Sequence, residues 1–329
     1  MSSPEPVDVL IIGGGPAGLT AALTLVRQSH TAVLFDSGNY RNAGVEHMHM
    51  IPTWDHLNPA DFREKARVEI LNNYATVKIE DVDVTTTRKI NDSLFEVVDA
   101  NNKTWKGKKI ILATGSGNIY PEIPGYADCW AKRIYHCLYC EGYEDRGSTR
   151  SGVLAVQTTS IAPMAIHLAE NAANLSSSVT IYTHGSQELS AQLQSSLRNS
   201  SQEKFKVDSR FISRLSLIKS DGKPAGVELT FNDGTSVIEG FLVHNPFTKI
   251  NGPFVQQLGI ETTPSPVPGI GDIAANFPAF QTSVRGIFAA GDCITQYKVI
   301  AGAISSGCNA AVAASAQLLA EKYEHQSLV

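Results

Sequence analysis

The chain has 329 residues and a mass of 35.4 kDa, is 43% hydrophobic and 18% charged, and can therefore bury the cores of two ordinary domains. A formal charge of -5 and a pI near 6.0 argue against the basic face of a nucleic-acid binder, and five cysteines are too few for a disulfide-stapled secreted scaffold. The polar start, Met1 to Asp8, runs straight into a strand without a signal peptide, so a soluble cytoplasmic protein is expected.

Val7 to Ile12 is a continuous apolar run of the kind buried on both faces of a parallel sheet. Gly13-Gly14-Gly15-Pro16-Ala17-Gly18 follows, then a helical pattern over Leu19 to Val26 and a second strand, Ala32 to Phe35, ending at Asp36. This βαβ order, with an acid about twenty residues past the glycines, is the dinucleotide fingerprint. Gly13 permits the tight turn, Gly15 lets a pyrophosphate approach the backbone, and Gly18 lets helix and strand pack closely. Free amides at the helix start face the phosphates, and Asp36 is placed to accept from a ribose diol.

Lys109 to Leu112 is a further apolar strand, closed by Ala113-Thr114-Gly115; Gly286 to Ala290 is another, closed by Gly291-Asp292. Between them lies Tyr135-His136-Cys137-Leu138-Tyr139-Cys140-Glu141-Gly142-Tyr143. Two cysteines at this spacing can close a small disulfide at a helix start, where the local dipole makes the first thiol reactive. Zinc needs four ligands, and no second CxxC or HxxxH is present, so no metal is expected. Val299 to Ala320 is uncharged and near membrane-spanning length, but its Ala, Gly and Ser content, with Asn309 and Gln317, predicts a buried helix.

The order of GxGxxG, ATG and late GD resembles the two-dinucleotide-domain flavoprotein disulfide reductases, and the CxxC narrows it to the low-molecular-weight thioredoxin reductases. The resemblance implies an α/β fold of two Rossmann-like dinucleotide-binding domains, each three-layer ββα, the second inserted into the first. Residues 1–117 and 246–329 would form the FAD-binding domain, and 118–245 the insert carrying the CxxC. It also implies FAD contacts at Gly13, Gly15, Pro16, Ala17, Gly18, Asp36, Ser37, Arg41, His49, Ala113, Thr114, Gly115, Gly291, Asp292, Lys298 and Val299. Asp292 would take the ribityl chain, and the helix after Lys298-Val299 would point its N-terminus at the isoalloxazine. Cys140 would face the flavin and Cys137 exchange with substrate, with Glu141 or His136 as the base. Homodimerisation is implied by the resemblance alone.

Two departures from the reductases stand out. The turn expected to hold NADPH, between a strand at Gly152 to Val156 and a helix from Ala162, reads Gln157-Thr158-Thr159-Ser160-Ile161, without glycine. After the strand Val179 to Tyr182 comes Thr183-His184-Gly185-Ser186, without the Arg or Lys that a 2′-phosphate needs. These departures, with Arg41-Asn42-Ala43, His47-Met48-His49-Met50 and Thr53-Trp54-Asp55-His56, are similar to the fungal dithiol oxidases of epidithio natural products such as gliotoxin. That resemblance implies oxidation of a small-molecule dithiol to its disulfide, with O2 as acceptor and H2O2 as product, and no nucleic-acid or membrane partner. The alternatives are an NADPH-dependent thioredoxin-reductase-type enzyme and a non-catalytic flavin redox sensor.

Overall fold

A computed structural model describes residues 5–197, 203–265, 267 and 269–329, so the first four residues of the polar N-terminus lie outside it. The chain forms two compact units. One comprises Met1–Glu46, Ile51–Gly117 and Thr248–Val329; the other comprises His47–Met50 and Asn118–Phe247.

In the first unit, Val77–Glu80, Ala32–Phe35, Val7–Ile12 and Thr104–Leu112 lie side by side in parallel. The last of these pairs antiparallel with Leu94–Asp99 near its start and parallel with Ile287–Ala289 near its end. Alternation sorts the side chains of Val7–Ile12 into two cores. Val9 and Ile11 pack with the helices Pro16–Arg27 and Ile300–Lys322, while Leu10 and Ile12 pack with Phe35, Phe95 and Phe254 on the other face. Ile12 is level with Phe35 and Leu112, and Leu112 with Ala289. Register alone therefore brings Gly13, Asp36, Ala113 and Ala290 to one carboxyl edge, where open α/β sheets bind ligands.

Ile300–Lys322 is the one helix among the described residues long and apolar enough to cross a membrane, with mean hydropathy 1.2. Within the fold 61% of its most apolar window is buried, and Ala310, Ala311, Ala314 and Gln317 are inaccessible or nearly so. Its small residues have a packing role: a Cβ on Gly307 would lie 2.2 Å from the Ala17 carbonyl of the first helix.

The second unit has a parallel sheet in the order Phe205–Asp208, Ser176–Tyr182, Ser148–Leu154, Leu242–Val243, Ile134–Tyr135. Val153, Val179 and Ile181 face the helices Ala162–Ala172 and Gln187–Ser196. Leu154 and Tyr182 face the antiparallel strands Ile212–Ser220 and Lys223–Phe231. Each unit is thus a Rossmann-like, three-layer sandwich, the second inserted into the first.

Candidate functional site

The carboxyl edge of the first unit is a cradle of glycines. A Cβ on Gly13, whose φ is +118°, would lie 2.2 Å from the Ala113 carbonyl oxygen, and one on Gly18 would lie 1.8 Å from the Gly13 oxygen. A Cβ on Gly14 would strike the Asp36 carboxylate at 2.1 Å. Gly15 differs: nothing lies within 4 Å of its missing Cβ. Three positions are glycine because the protein fills the space; the fourth keeps space open beside the helix start. That helix, Pro16–Arg27, has proline in its first turn, no side-chain cap and no acid in that turn, so its dipole and amides are left for an anion. A dinucleotide pyrophosphate fits such a cradle.

Asp36 is 4% exposed and accepts from the Gly38 amide at 3.0 Å, the Tyr40 hydroxyl at 2.6 Å and Arg67 Nη1 at 2.9 Å. Three of its roughly four acceptor positions are thus engaged within the chain, leaving about one for a ribose hydroxyl. Burial and this carboxylate push the Tyr40 phenol up to about 12. Neither Tyr40 nor Arg67 is signalled by the fingerprint, because both depend on where the helix Pro59–Asn73 and the loop after Asp36 pack. Ser37 is exposed and its hydroxyl accepts from the Asn39 amide.

Arg41 reaches Asp292 at 3.5 Å, so two residues far apart in sequence share the site. Gly291, at φ +81°, abuts Ala17 of the glycine-rich turn, and Asn251 holds the Thr114 carbonyl at 3.0 Å. Lys298 does something the sequence did not announce. Its ammonium donates to the carbonyls of Asp292 and Thr295, both at 2.6 Å, to Asp272 Oδ1 at 3.0 Å and to Ser116 Oγ at 3.3 Å. Its three donors are thus engaged by the protein, and its side chain ties the Gly291–Ile294 turn to the loop carrying Asp272. Val299 caps the helix Ile300–Lys322 with extended backbone and no side-chain hydrogen bond to the cap, leaving first-turn amides for a partner.

In the second unit Cys137 and Cys140 form a disulfide, with Cα atoms 5.2 Å apart. The expected helix start is only a wide turn, Leu138–Gly142, followed by a tight one, Tyr143–Asp145. One amide faces the sulfur directly: Cys140 N–H points at Cys137 Sγ from 3.2 Å, a donor suited to a thiolate. Gly142 lets the turn close on Tyr135, since a Cβ there would lie 3.0 Å from that ring. The Tyr135 hydroxyl donates to Asp145 and the Lys132 carbonyl, and burial pushes its phenol up to about 12. His136 stacks on Trp130 with ring centroids 6.0 Å apart.

His49, expected among the cofactor residues, belongs to the second unit and sits on the redox turn. Its Nδ1 is 2.6 Å from the Cys140 carbonyl and its Nε2 is 3.7 Å from Glu144. The sequence reading missed Glu144. Tyr139, between the cysteines, is 40% exposed and fixed through its hydroxyl to Asn171 and Asn174.

The segment Gln157–Ser160 forms one tight helical turn entered at Gln157 with φ +50°. Gln157 donates to the Ile119 carbonyl and accepts from the Phe247 amide, and Thr159, fully buried, accepts from the Asn245 amide. At the next strand end His184 lies against Phe211, with centroids 4.1 Å apart, and accepts from the Ile212 amide. Burial lowers its pKa.

The sequence pattern of the pyridine nucleotide-disulphide oxidoreductases matches residues 7–314. Thioredoxin reductase tcpT of Claviceps purpurea is 43% identical over 329 residues, spanning 100% of this chain and 99% of its own. Thioredoxin reductase aclD of Aspergillus oryzae is 46% identical, spanning 94% and 96%, and sirT of Leptosphaeria maculans 36%, spanning 96% and 95%. An oxidoreductase structure from Agrobacterium tumefaciens superposes with TM-score 0.83 at 29% identity, covering 96% of this chain and 99% of that one. The structure of HlmI gives 0.84 at 26% identity, covering 98% and 96%.

Proposed function

Since this chain belongs to the pyridine nucleotide-disulphide oxidoreductase family, as a thioredoxin-reductase-like flavoprotein with FAD as its cofactor, we propose that it oxidises a small-molecule dithiol to an intramolecular disulfide, with O2 as electron acceptor and H2O2 as product. The observation that carries this reading is the turn Gln157–Ser160, which has no glycine where a reductase is expected to seat a pyrophosphate and whose Gln157 side chain is bonded to the Ile119 carbonyl and the Phe247 amide. The lack of a cation at 183–186, where His184 instead packs on Phe211, supports it from a second direction. The sulfur-bridged, epidithio class of substrate follows from the resemblance of the 47–56 region to the fungal dithiol oxidases.

One substrate thiolate attacks Cys137 Sγ, forming a mixed disulfide as Cys140 departs as a thiolate. The second substrate sulfur then attacks the sulfur already joined to Cys137. The cyclic disulfide is released and the cysteine pair is reduced by two electrons. The Cys140 amide, pointing at Cys137 Sγ, stabilises negative charge as it develops there. Gly13, Gly15 and Gly18, the start of Pro16–Arg27, Asp36, Arg41 and Asp292 are the residues that would hold FAD, which when bound accepts an electron pair and can pass it to oxygen.

The names of the relatives favour a second reading, NADPH-dependent disulfide reduction. Oxygen uptake by the holoprotein separates the two. Small dithiols should drive oxygen consumption with matching peroxide, and NADPH alone should drive none. Oxygen uptake or disulfide reduction sustained by NADPH without a dithiol would overturn the proposal.

A further inference from the structure

The redox turn has a partner that neither the CxxC motif nor the residues beside it contain. We propose that His49, backed by Glu144, is a positioning residue for the thiol couple: it clamps the Cys140 carbonyl and takes up the proton released when the reduced pair becomes a thiol and a thiolate. The inference rests on the disulfide-exchange reading of Cys137 and Cys140.

The backbone first fixes the ring. Met48 is 3% exposed and anchors the segment, while Met50 follows with φ +63°, a left-handed conformation that a non-glycine residue holds only when its surroundings impose it. Between them, His49 faces the turn Leu138–Gly142, with Nδ1 2.6 Å from the Cys140 carbonyl oxygen. A carbonyl can only accept, so this nitrogen carries a hydrogen. That nitrogen faces Glu144 Oε1 at 3.7 Å. A proton gained at Nε2 lands against a carboxylate, and the resulting cation is fixed to the backbone of the residue whose sulfur leaves.

The other charged groups around this turn are arranged differently. Asp145 is joined to Arg133 and to the Tyr135 hydroxyl, and Arg146 lies over the Tyr143 ring. Glu141, in the turn itself, adds negative charge near Tyr135, as does Glu144. His136 stacks on Trp130. Glu144, its side chain 48% exposed, also gives the proton a route to water.

The substrate dithiol and the Cys137–Cys140 disulfide become the substrate disulfide, a Cys137 thiol and a Cys140 thiolate; two electrons pass to the cysteine pair. Of the two substrate protons, one stays on Cys137 and the other goes to His49 Nε2, so charge is conserved. The imidazolium at the Cys140 carbonyl then balances the thiolate.

The test measures the thiol itself. In a Cys137→Ser holoprotein, the rate of iodoacetamide alkylation at Cys140 is followed against pH, reading the Cys140 peptide by mass so that Cys129, Cys293 and Cys308 do not interfere. His49→Asn keeps an amide donor for the Cys140 carbonyl but cannot titrate, and should move the alkylation midpoint up by about one pH unit. Glu144→Gln should move it the same way by less. Unchanged midpoints in both variants would overturn the inference. If His49→Asn fails to retain flavin, Glu144→Gln alone decides. No substrate or oxygen enters the assay, so its failure leaves the dithiol-oxidase reading standing, and failure of that reading leaves this result interpretable.

Discussion

Lys298→Met isolates the buried charge knot beneath the cofactor cradle. Lys298 and Asp272 lie 3.0 Å apart with side chains each 4% exposed, so an effective dielectric near 20 gives an attraction of about 5 to 6 kcal/mol before desolvation is counted. Desolvation offsets most of that in the intact pair, but removing the lysine alone leaves a buried carboxylate without its counter-charge, held by the Gln296 amide, and deprives two carbonyls of their donor. Loss of one partner from such a pair typically costs about 3–5 kcal/mol. Replacing both, as Asp272→Asn with Lys298→Met, removes the stranded charge and should restore more than half of the loss. Urea unfolding followed by far-ultraviolet circular dichroism gives the stability, and fluorescence of released flavin reports the cradle, because Lys298 also holds the Asp292 carbonyl. A single variant within about 1 kcal/mol of wild type, or a double variant no better than the single, would refute this reasoning.

The glycines separate fold from binding: Gly15→Ala places a methyl in open space and should fold normally while binding FAD on the order of tenfold more weakly, read from the flavin content of purified protein. Gly18→Ala puts a methyl 1.8 Å from the Gly13 oxygen and should abolish the folded flavoprotein, read by near-ultraviolet dichroism. Cys140→Ser leaves Cys137 as a lone thiol that should open an added cyclic disulfide product by exchange, giving a mixed disulfide visible in the intact mass, and an added dithiol should leave the flavin oxidised without oxygen; a wild-type bleaching rate would sink the cysteine assignment. His244 is fully buried as a neutral ring, accepting from the Tyr126 hydroxyl at 2.7 Å and donating to the Val156 carbonyl, and burial depresses its pKa to about 3. The unfolded chain therefore binds a proton below about pH 6.5 that the folded chain refuses, so stability falls with acidification, by about 3 kcal/mol between pH 6.5 and 4. His244→Gln should flatten that limb of the urea-stability profile.

Much of the cofactor cradle was legible because its grammar is local. Strand, glycine turn, helix and acid are set by neighbours a few residues apart, and parallel register then forces Gly13, Asp36, Ala113 and Gly291 to one edge. The cysteine pair was legible for the same reason. What stayed hidden depends on long-range packing. Gly14 is glycine because of Asp36, and Lys298 is a structural clamp only once Asp272 is beside it. His49 and Cys140 are 91 residues apart, and nothing in the HMHM segment says which histidine turns toward the redox turn. The short Leu138–Gly142 turn also shows why a CxxC spacing implies a nearby amide donor more safely than a full helix dipole.

Anaerobic titration of the yellow holoprotein, followed at the flavin absorbance band, tests the account most directly. A stoichiometric small dithiol should bleach the flavin, and excess NADPH should leave the spectrum unchanged. Bleaching by NADPH, with no effect of the dithiol, would contradict it.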